Sequence, residues 1–378
     1  MKSSLPERGL YHSPHYANLF GMDKNKTWNP FTEWRHTEIQ WIRVNISNED
    51  LAHFTSRSNA KGFWHALKFL IVIGATGTLT YFAFSRGLWV LLAFALYFYG
   101  TVYGFFGAAL HELSHNTVFA SRWLNVCFTA LFGWLFWPYN PHLYRLSHQN
   151  YHHKYTLYQG SDGEDVPTYI EFTTKFIFTL FLNVIHLKSL VHNLWRLFTL
   201  TPCSKGWRGR GFKPDLWEQF VMENAGRRER RRVMRMAVAS LAGHVLFVAL
   251  CIYLGIWFLP ILITFAPFYG AGFMGFMSGI HQHAAREANN PDFRISCGDA
   301  VLDPLTSLLY WRMEFHIEHH MFAAVPCYNL KKFSRFVADQ LPPKERAIPR
   351  LLTLNRKCNE KYGSWQNWRD GFGLYKGY

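Results

Sequence analysis

Three tight histidine clusters carry the chemistry of this chain: His111/His115, His148/His152/His153 and His316/His319/His320. Residues three and four apart share one face of a helix, so each cluster is expected to aim its imidazoles at a single point. Eight aimed imidazoles exceed the needs of one ion, because a zinc site takes four ligands when structural and three when catalytic. Two metal ions are the economical reading. Imidazole suits iron, copper, nickel and zinc alike, so ligand type does not name the metal. The competing reading, histidines that satisfy ordinary hydrogen bonds, weakens as each further cluster is found at the end of an apolar segment.

Those segments are what must position the clusters. Phe63–Phe84 and Leu88–Leu110 are each long enough to cross a hydrocarbon core of ~30 Å, and Ser85, Arg86 and Gly87 between them predict a tight hairpin. A second pair, Met236–Phe258 and Leu259–Ile280, has no acidic or basic side chain; Pro260 is expected to mark its turn and Pro267 to kink the last helix. Leu124–Trp137 is too short to cross and reads as a re-entrant or interfacial segment. Phe172–Leu200 carries Lys175, His186, Lys188, His192 and Arg196, and reads as an amphipathic helix at the interface. The expected fold is all-α, an integral membrane protein of about four spans with a cytoplasmic histidine-rich cap. Its segments are a cytoplasmic N-terminal region (1–62), hairpins 63–110 and 236–280, an intervening cytoplasmic or interfacial region (111–235), and a cytoplasmic C-terminal region (281–378).

The 378 residues carry a formal charge of +15 with 49% hydrophobic and 18% aromatic content. The excess base falls on the segments that this topology places on one side, including the run Arg227, Arg228, Arg230, Arg231, Arg232 and Arg235 before the third span. Basic loops stay cytoplasmic, so both termini and every cluster are expected there. The run reads as a juxtamembrane patch touching anionic lipid, with no nucleic-acid partner. Six scattered cysteines without a CxxC pair exclude a disulfide framework or a zinc ribbon. Residues 1–62 have no apolar core of a signal peptide, so the first span is expected to serve for insertion.

The first cluster, HELSH at 111–115, also matches the HExxH pattern of zinc proteases, with Glu112 as general base. That reading leaves most of the other clustered histidines without a purpose. A transporter would carry polar groups along a path inside its spans, and these spans keep them at their ends. HELSH, HQNYHH (148–153) and HIEHH (316–320), in this order, resemble the three histidine boxes of the membrane fatty acid desaturase and hydroxylase superfamily, whose boxes take the forms HxxxH, HxxHH or HxxxHH, and HxxHH. The sequence Val325-Pro326-Cys327-Tyr328-Asn329-Leu330 after the third box is similar to that family, and HELSHN is similar to its sphingolipid desaturases, although their other boxes fit poorly.

The resemblance implies a non-haem centre of two iron ions, bound by the eight box histidines with a further ligand from His281 or His283 of the HQH element. It implies O2 as co-substrate, an acyl chain or other lipid as substrate, and either desaturation or, on the same scaffold, hydroxylation or oxidative decarboxylation. Glu112 and Glu318 inside boxes are expected to accept hydrogen bonds from ligating histidines, with Gln149, Asn150 and Asp303 as weaker supports. His142, His186, His192 and His244 lie off the pattern and read as structural, His244 needing a local partner within its span. Tyr97, Tyr99, Tyr103, Phe105, Phe106, Trp134, Phe136, Trp137 and Tyr139 could wall an apolar tunnel, though interfacial anchoring explains many such aromatics. The chain shows no HPGG haem segment, GxGxxG fingerprint or iron–sulfur cysteine set, so electrons are expected from a separate ferredoxin, rubredoxin or cytochrome.

Overall fold

The computed structural model describes residues 38–158, 161–162, 187–204, 216–265, 281–283, 286–346 and 353. Two long helices open it, α2 (Asn59–Ser85) and α3 (Trp89–Gly104), the latter continued after Phe105 by α4 (Phe106–Ser114). A short helix α1 (Asn48–Phe54) precedes them, capped by the Ser47 side chain, which accepts from Asp50 N at 3.0 Å. The predicted hairpin is present. Gly87 sits at φ +64°, a conformation that costs a glycine little, and Leu88 N donates to Ala83 O to close the turn.

Then come α5 (Arg122–Leu135), α6 (Pro141–Ser147), a π-helical turn His148–His152, α7 (Leu187–Thr199), α8 (Leu216–Asn224) and α9 (Arg227–Tyr253). The arginine run precedes the apolar part of the third span, as expected, and forms with it one continuous helix, occupying the first turns of α9. Arginine is a good helix former, and its long side chain can keep its charge in water while the helix continues. The turn after that span falls at Leu254–Ile256, with Gly255 at φ +71°, and not at Pro260, which lies in the short helix Phe258–Pro260. Proline tolerates an early helical position, where its missing N–H would have had no partner.

Three helical stretches are long and apolar enough to cross a membrane among the described residues: Asn59–Ser85, Trp89–Ser114 and Arg227–Tyr253. Large apolar side chains such as Phe94, Val245 and Leu246 stand about 70% exposed on them (72, 69 and 69%), as lipid-facing positions require. The expected fourth span continues from Ile261–Phe265 into 266–280, which with Pro267 lies outside the described residues. The α5 helix has 14 residues, too short to span; it buries Leu124 and Phe132 and exposes Trp123, Val126 and Leu131. Of the proposed interfacial stretch, α7 is described; Leu197 and Leu200 at its end are buried while Val191 and Trp195 are exposed, and 172–186 lie outside the described residues.

The C-terminal part is built from α10 (Phe293–Ser296), strand β1 (Ala300–Val301), α11 (Pro304–Leu309), α12 (His316–Met321), α13 (Cys327–Phe336) and strand β2 (Glu345–Arg346), with β1 and β2 paired in parallel. One apolar core joins α2, α3, α4 and α5 through Phe69, Tyr103, Phe106 and Phe132 to Trp311. A second packs Phe54, Phe293, Phe315 and Phe333, and a third Leu143, Leu197, Phe220 and Val233. Between them these cores grip α4, the π turn and α12, the elements that carry the boxes. The five described cysteines form no disulfide.

Candidate metal centre

The three boxes converge, and they do so on two points. His111, His115, His148, His153 and His319 form one group, and His152, His283, His316 and His320 a second; within each, one nitrogen per ring lies within 4.8 Å of all the others. The expectation that each cluster aims at a single point holds for His111/His115 and fails for the other two boxes. Adjacent residues on a helix point about 100° apart, so His152 and His153, and likewise His319 and His320, must face different centres. Each of these pairs therefore ties one group to the other.

The backbone explains which histidines stay together. In α12, His316 and His320 are four apart on an α-helix and share the second group. In the second box, His153 N–H bonds His148 O across the π turn, so His148 and His153, five apart, share the first group. A π turn is the place where a pair one residue longer falls on one face.

The groups sit in a dry, neutral setting. Burial holds the His148, His153, His316, His319 and His320 imidazoles well below the usual histidine range, with neighbouring imidazoles adding to it. Burial, with Arg145 and His152 next in order, pushes His115 down to about 3. These rings are neutral at physiological pH, the form that offers a lone pair to a metal.

Their far nitrogens are held. His152 Nδ1 donates to Asp162 Oδ2 at 2.9 Å, and His283 Nδ1 donates to Ser296 O at 3.1 Å. Thr156 Oγ1 gives its own hydrogen to His152 O at 2.8 Å, so it accepts from His320 Nδ1 at 3.0 Å. With the proton fixed on Nδ1, the Nε2 lone pairs of these three rings face the group interior. His316 Nε2 lies 2.9 Å from His283 Nε2 and 3.0 Å from His320 Nε2. A single ring nitrogen cannot properly serve two such lone pairs, whereas one cation among them serves all four. The first group poses the same problem: His319 Nε2 is 2.7 Å from His111 Nε2 and 3.1 Å from His153 Nε2, and buried His115 Nε2 has no hydrogen-bond partner. The residues present fit two metal ions.

His281 and His283 separate. His281 is buried but belongs to neither group; its Nδ1 is 3.9 Å from Glu345 Oε2, on the far side of the segment. Two residues before His283, the His281 ring turns away from the centre. Glu112 is fully buried with Oε1 3.4 Å from His319 Nδ1, so it backs a histidine of the third box and stands behind the ring, away from its Nε2. A zincin's base would have to stand beside the metal-bound water.

Glu318 does not face a histidine of either group. It is buried beside Asp299, whose carboxyl is pushed well above its usual range by burial and by that neighbour, with Lys344 3.6 Å from Asp299 and 3.8 Å from Glu318. Asp299 also accepts from Ile317 N at 2.9 Å, so this trio anchors α12. Asp303 is the N-cap of α11, accepting from Leu305 N and Thr306 N at 3.0 Å. An aspartate before Pro-Leu-Thr is an N-cap signature, and that is the better reading of it. Gln149 donates to Ser114 O beside the first box, while Asn150 is exposed.

Sequence reasoning missed Tyr144, whose Oη is 2.9 Å from His111 Nδ1, and also Asp162 and Thr156. Tyr144 lines a cavity of about 270 Å³ with Tyr139, Leu143, Leu197 and Trp217, with the Arg196–Glu218 ion pair (2.5 Å) on its wall. Of the expected tunnel aromatics, Tyr139 lines this cavity; Tyr99, Tyr103, Phe105 and Phe106 are packed into the first core. Off-pattern His244 finds its partners as expected, donating from Nδ1 to Ser240 O at 2.9 Å and stacking on Trp137. His142 is half-buried away from both groups, and His186 and the His192 side chain lie outside the described residues.

Long lipid-exposed helices with buried multi-histidine groups at their ends define a class of integral membrane metalloprotein. Within that class, the sequence profile described as fatty acid desaturase matches residues 87–350. The chain belongs to the fatty acid desaturase family, and is thus a membrane oxidoreductase. No curated protein gives a match to it.

Proposed function

We propose that the chain is a non-haem diiron oxygenase that uses O2 to remove hydrogen from an unactivated C–H bond of an acyl chain, giving a double bond. The observation that carries this is the five-and-four division of nine imidazoles, tied together by His152/His153 and His319/His320. When bound, two ferrous ions would supply the electrons that dioxygen needs to become an oxidant of that strength, chemistry closed-shell zinc does not offer. The ligand set is His111, His115, His148, His153 and His319 for one ion, and His152, His283, His316 and His320 for the other.

The chain's own residues supply orientation and dryness. Asp162, Thr156 and the Ser296 carbonyl hold protons on Nδ1 and keep the opposite nitrogens free; Tyr144 and Glu112 steady His111 and His319. Buried neutral imidazoles exclude water from the reacting centre. The cavity beside Tyr144 is placed to bring an apolar chain against the first group. Electrons come from a separate acidic carrier drawn to the basic cytoplasmic face, at a rate sensitive to salt.

Metal analysis of the purified protein tests this reading: about two irons per chain are expected, and one zinc with no iron would overturn it. Glu112→Gln should cost roughly 10 to 100-fold in iron affinity or turnover, because an amide offers His319 Nδ1 one acceptor oxygen where the carboxyl group has two. Complete loss of activity with iron fully retained would mark Glu112 as a reacting base instead. The sidedness expected from the basic loops has its own test, in which cysteine probes are labelled from outside intact cells. A probe at Arg86 should react and probes at Lys154 and Lys331 should not; outside labelling at Lys154 would break the topology.

A further inference from the structure

A polar cavity of about 310 Å³ lies against α6, on a different face from the apolar one, lined by His142, Arg145, Gln149, Asn150, Glu229 and Arg232. Two guanidinium groups face it, and no described carboxylate comes within ion-pair distance of either. Glu229, the acid on the lining, is folded back over the start of α9, where a Cβ on Gly226 would come within 2.5 Å of its Oε2. Arg145 is half-buried; its Nε donates to the neutral Gln149 Oε1 at 3.3 Å and its Nη1 and Nη2 to the neutral Asn116 side-chain oxygen at 3.2 and 2.9 Å, which leaves one hydrogen on each Nη for a further acceptor. Burial first, then the positive charges of Arg232 and Arg122, lowers its pKa against the opposing pull of Glu229; burial, Arg232 and Arg145 lower that of His142. The cavity is therefore a small concave site with two guanidinium groups and one carboxylate on its wall, net positive, too small for a protein surface and of a size to take one anionic group.

Its position says where the anion comes from. Arg232 is on the exposed face of α9, and farther along that helix the exposed residues become apolar at Val238, Val245 and Leu246, so the cavity opens where the helix enters the bilayer. An apolar groove along Met234, Val238 and Ala239, bordered by Arg231 and Arg235, runs down a neighbouring face. We propose that the cavity binds the phosphate of an anionic phospholipid, clamped between Arg145 and Arg232, with an acyl tail in that groove. Guanidinium offers a phosphate charge-assisted, fork-shaped hydrogen bonding that a lysine does not. The site is separate from the metal groups yet leads toward them, since Arg145 holds Gln149 and Gln149 donates to the Ser114 carbonyl next to His115.

The test uses the full-length, metal-loaded protein in detergent, titrated at fixed ionic strength with short-chain phosphatidylglycerol, short-chain phosphatidylcholine or inorganic phosphate while its unfolding temperature is followed. Phosphatidylglycerol should raise that temperature saturably, and Arg145→Gln or Arg232→Gln should weaken the apparent affinity about tenfold or more. Arg228→Gln, an exposed member of the same run outside the cavity, should leave it unchanged. Arg232 is exposed, so its variant carries the test even where Arg145→Gln disturbs folding. An equal response in all three variants overturns the site. Saturation by inorganic phosphate at the same concentration as the lipid overturns the lipid assignment in favour of a soluble phosphate, and an equal response to phosphatidylcholine overturns the selection for an anionic headgroup.

Discussion

A His283→Ala protein is expected to lose turnover completely and to retain about one iron per chain, because the second group then keeps three imidazoles where it had four. His281→Ala, two residues away and equally buried, should retain both irons, since its ring looks toward Glu345. The pair is informative because both changes remove the same side chain from the same short segment. Damage to folding would strike both; loss of a ligand strikes one. Iron content alongside product formation, measured by mass spectrometry of the acyl chains, reads the difference. Iron loss of equal size in the two variants would sink the assignment.

Asp162→Ala should weaken iron binding and turnover by roughly 10 to 100-fold. Its carboxylate accepts a hydrogen bond from His152 Nδ1 at 2.9 Å and from Leu157 N at 3.0 Å, so it fixes both the tautomer of that imidazole and the turn that follows the second box. Asp162→Asn keeps one acceptor oxygen and should lose less. Competition with a chelator gives the iron affinity of each variant, and unchanged retention of iron in Asp162→Ala would remove the residue from the metal centre.

Asp162 also marks the limit of what the chain's order of residues reveals. The gathering of the box histidines was legible because metal-binding capacity resides in residue type and spacing, and eight imidazoles at helical spacing have few other uses. The first two spans were legible because the length of an apolar run maps directly onto bilayer thickness. Asp162, Tyr144, Thr156 and the Ser296 carbonyl were not, since each supports a histidine through a contact that the tertiary fold or a loop creates, and an isolated aspartate or threonine has many uses. Glu318 and Asp303 were misread for the opposite reason: nearness in sequence to a box suggested service to it, while Glu318 faces Asp299 and Lys344 and Asp303 caps a helix. The turn placed at Pro260 belongs to Gly255, whose positive φ makes the reversal.

The π turn at the second box bears on how its motif is spelled. Written as letters, HQNYHH and HIEHH differ by one residue, and a pattern of fixed spacing would treat them as different words. In space they are synonyms: each gives two imidazoles to one histidine group and lends the odd histidine of its adjacent pair to the other. The surplus letter is absorbed by backbone hydrogen bonding, so an insertion that would swing His153 away from its partners on an ordinary helix is silent here. Between the second and third boxes of this chain, length changes by one residue while the facing imidazoles keep the same pattern, so the reading frame of the motif is kept by the helix, not by the spelling.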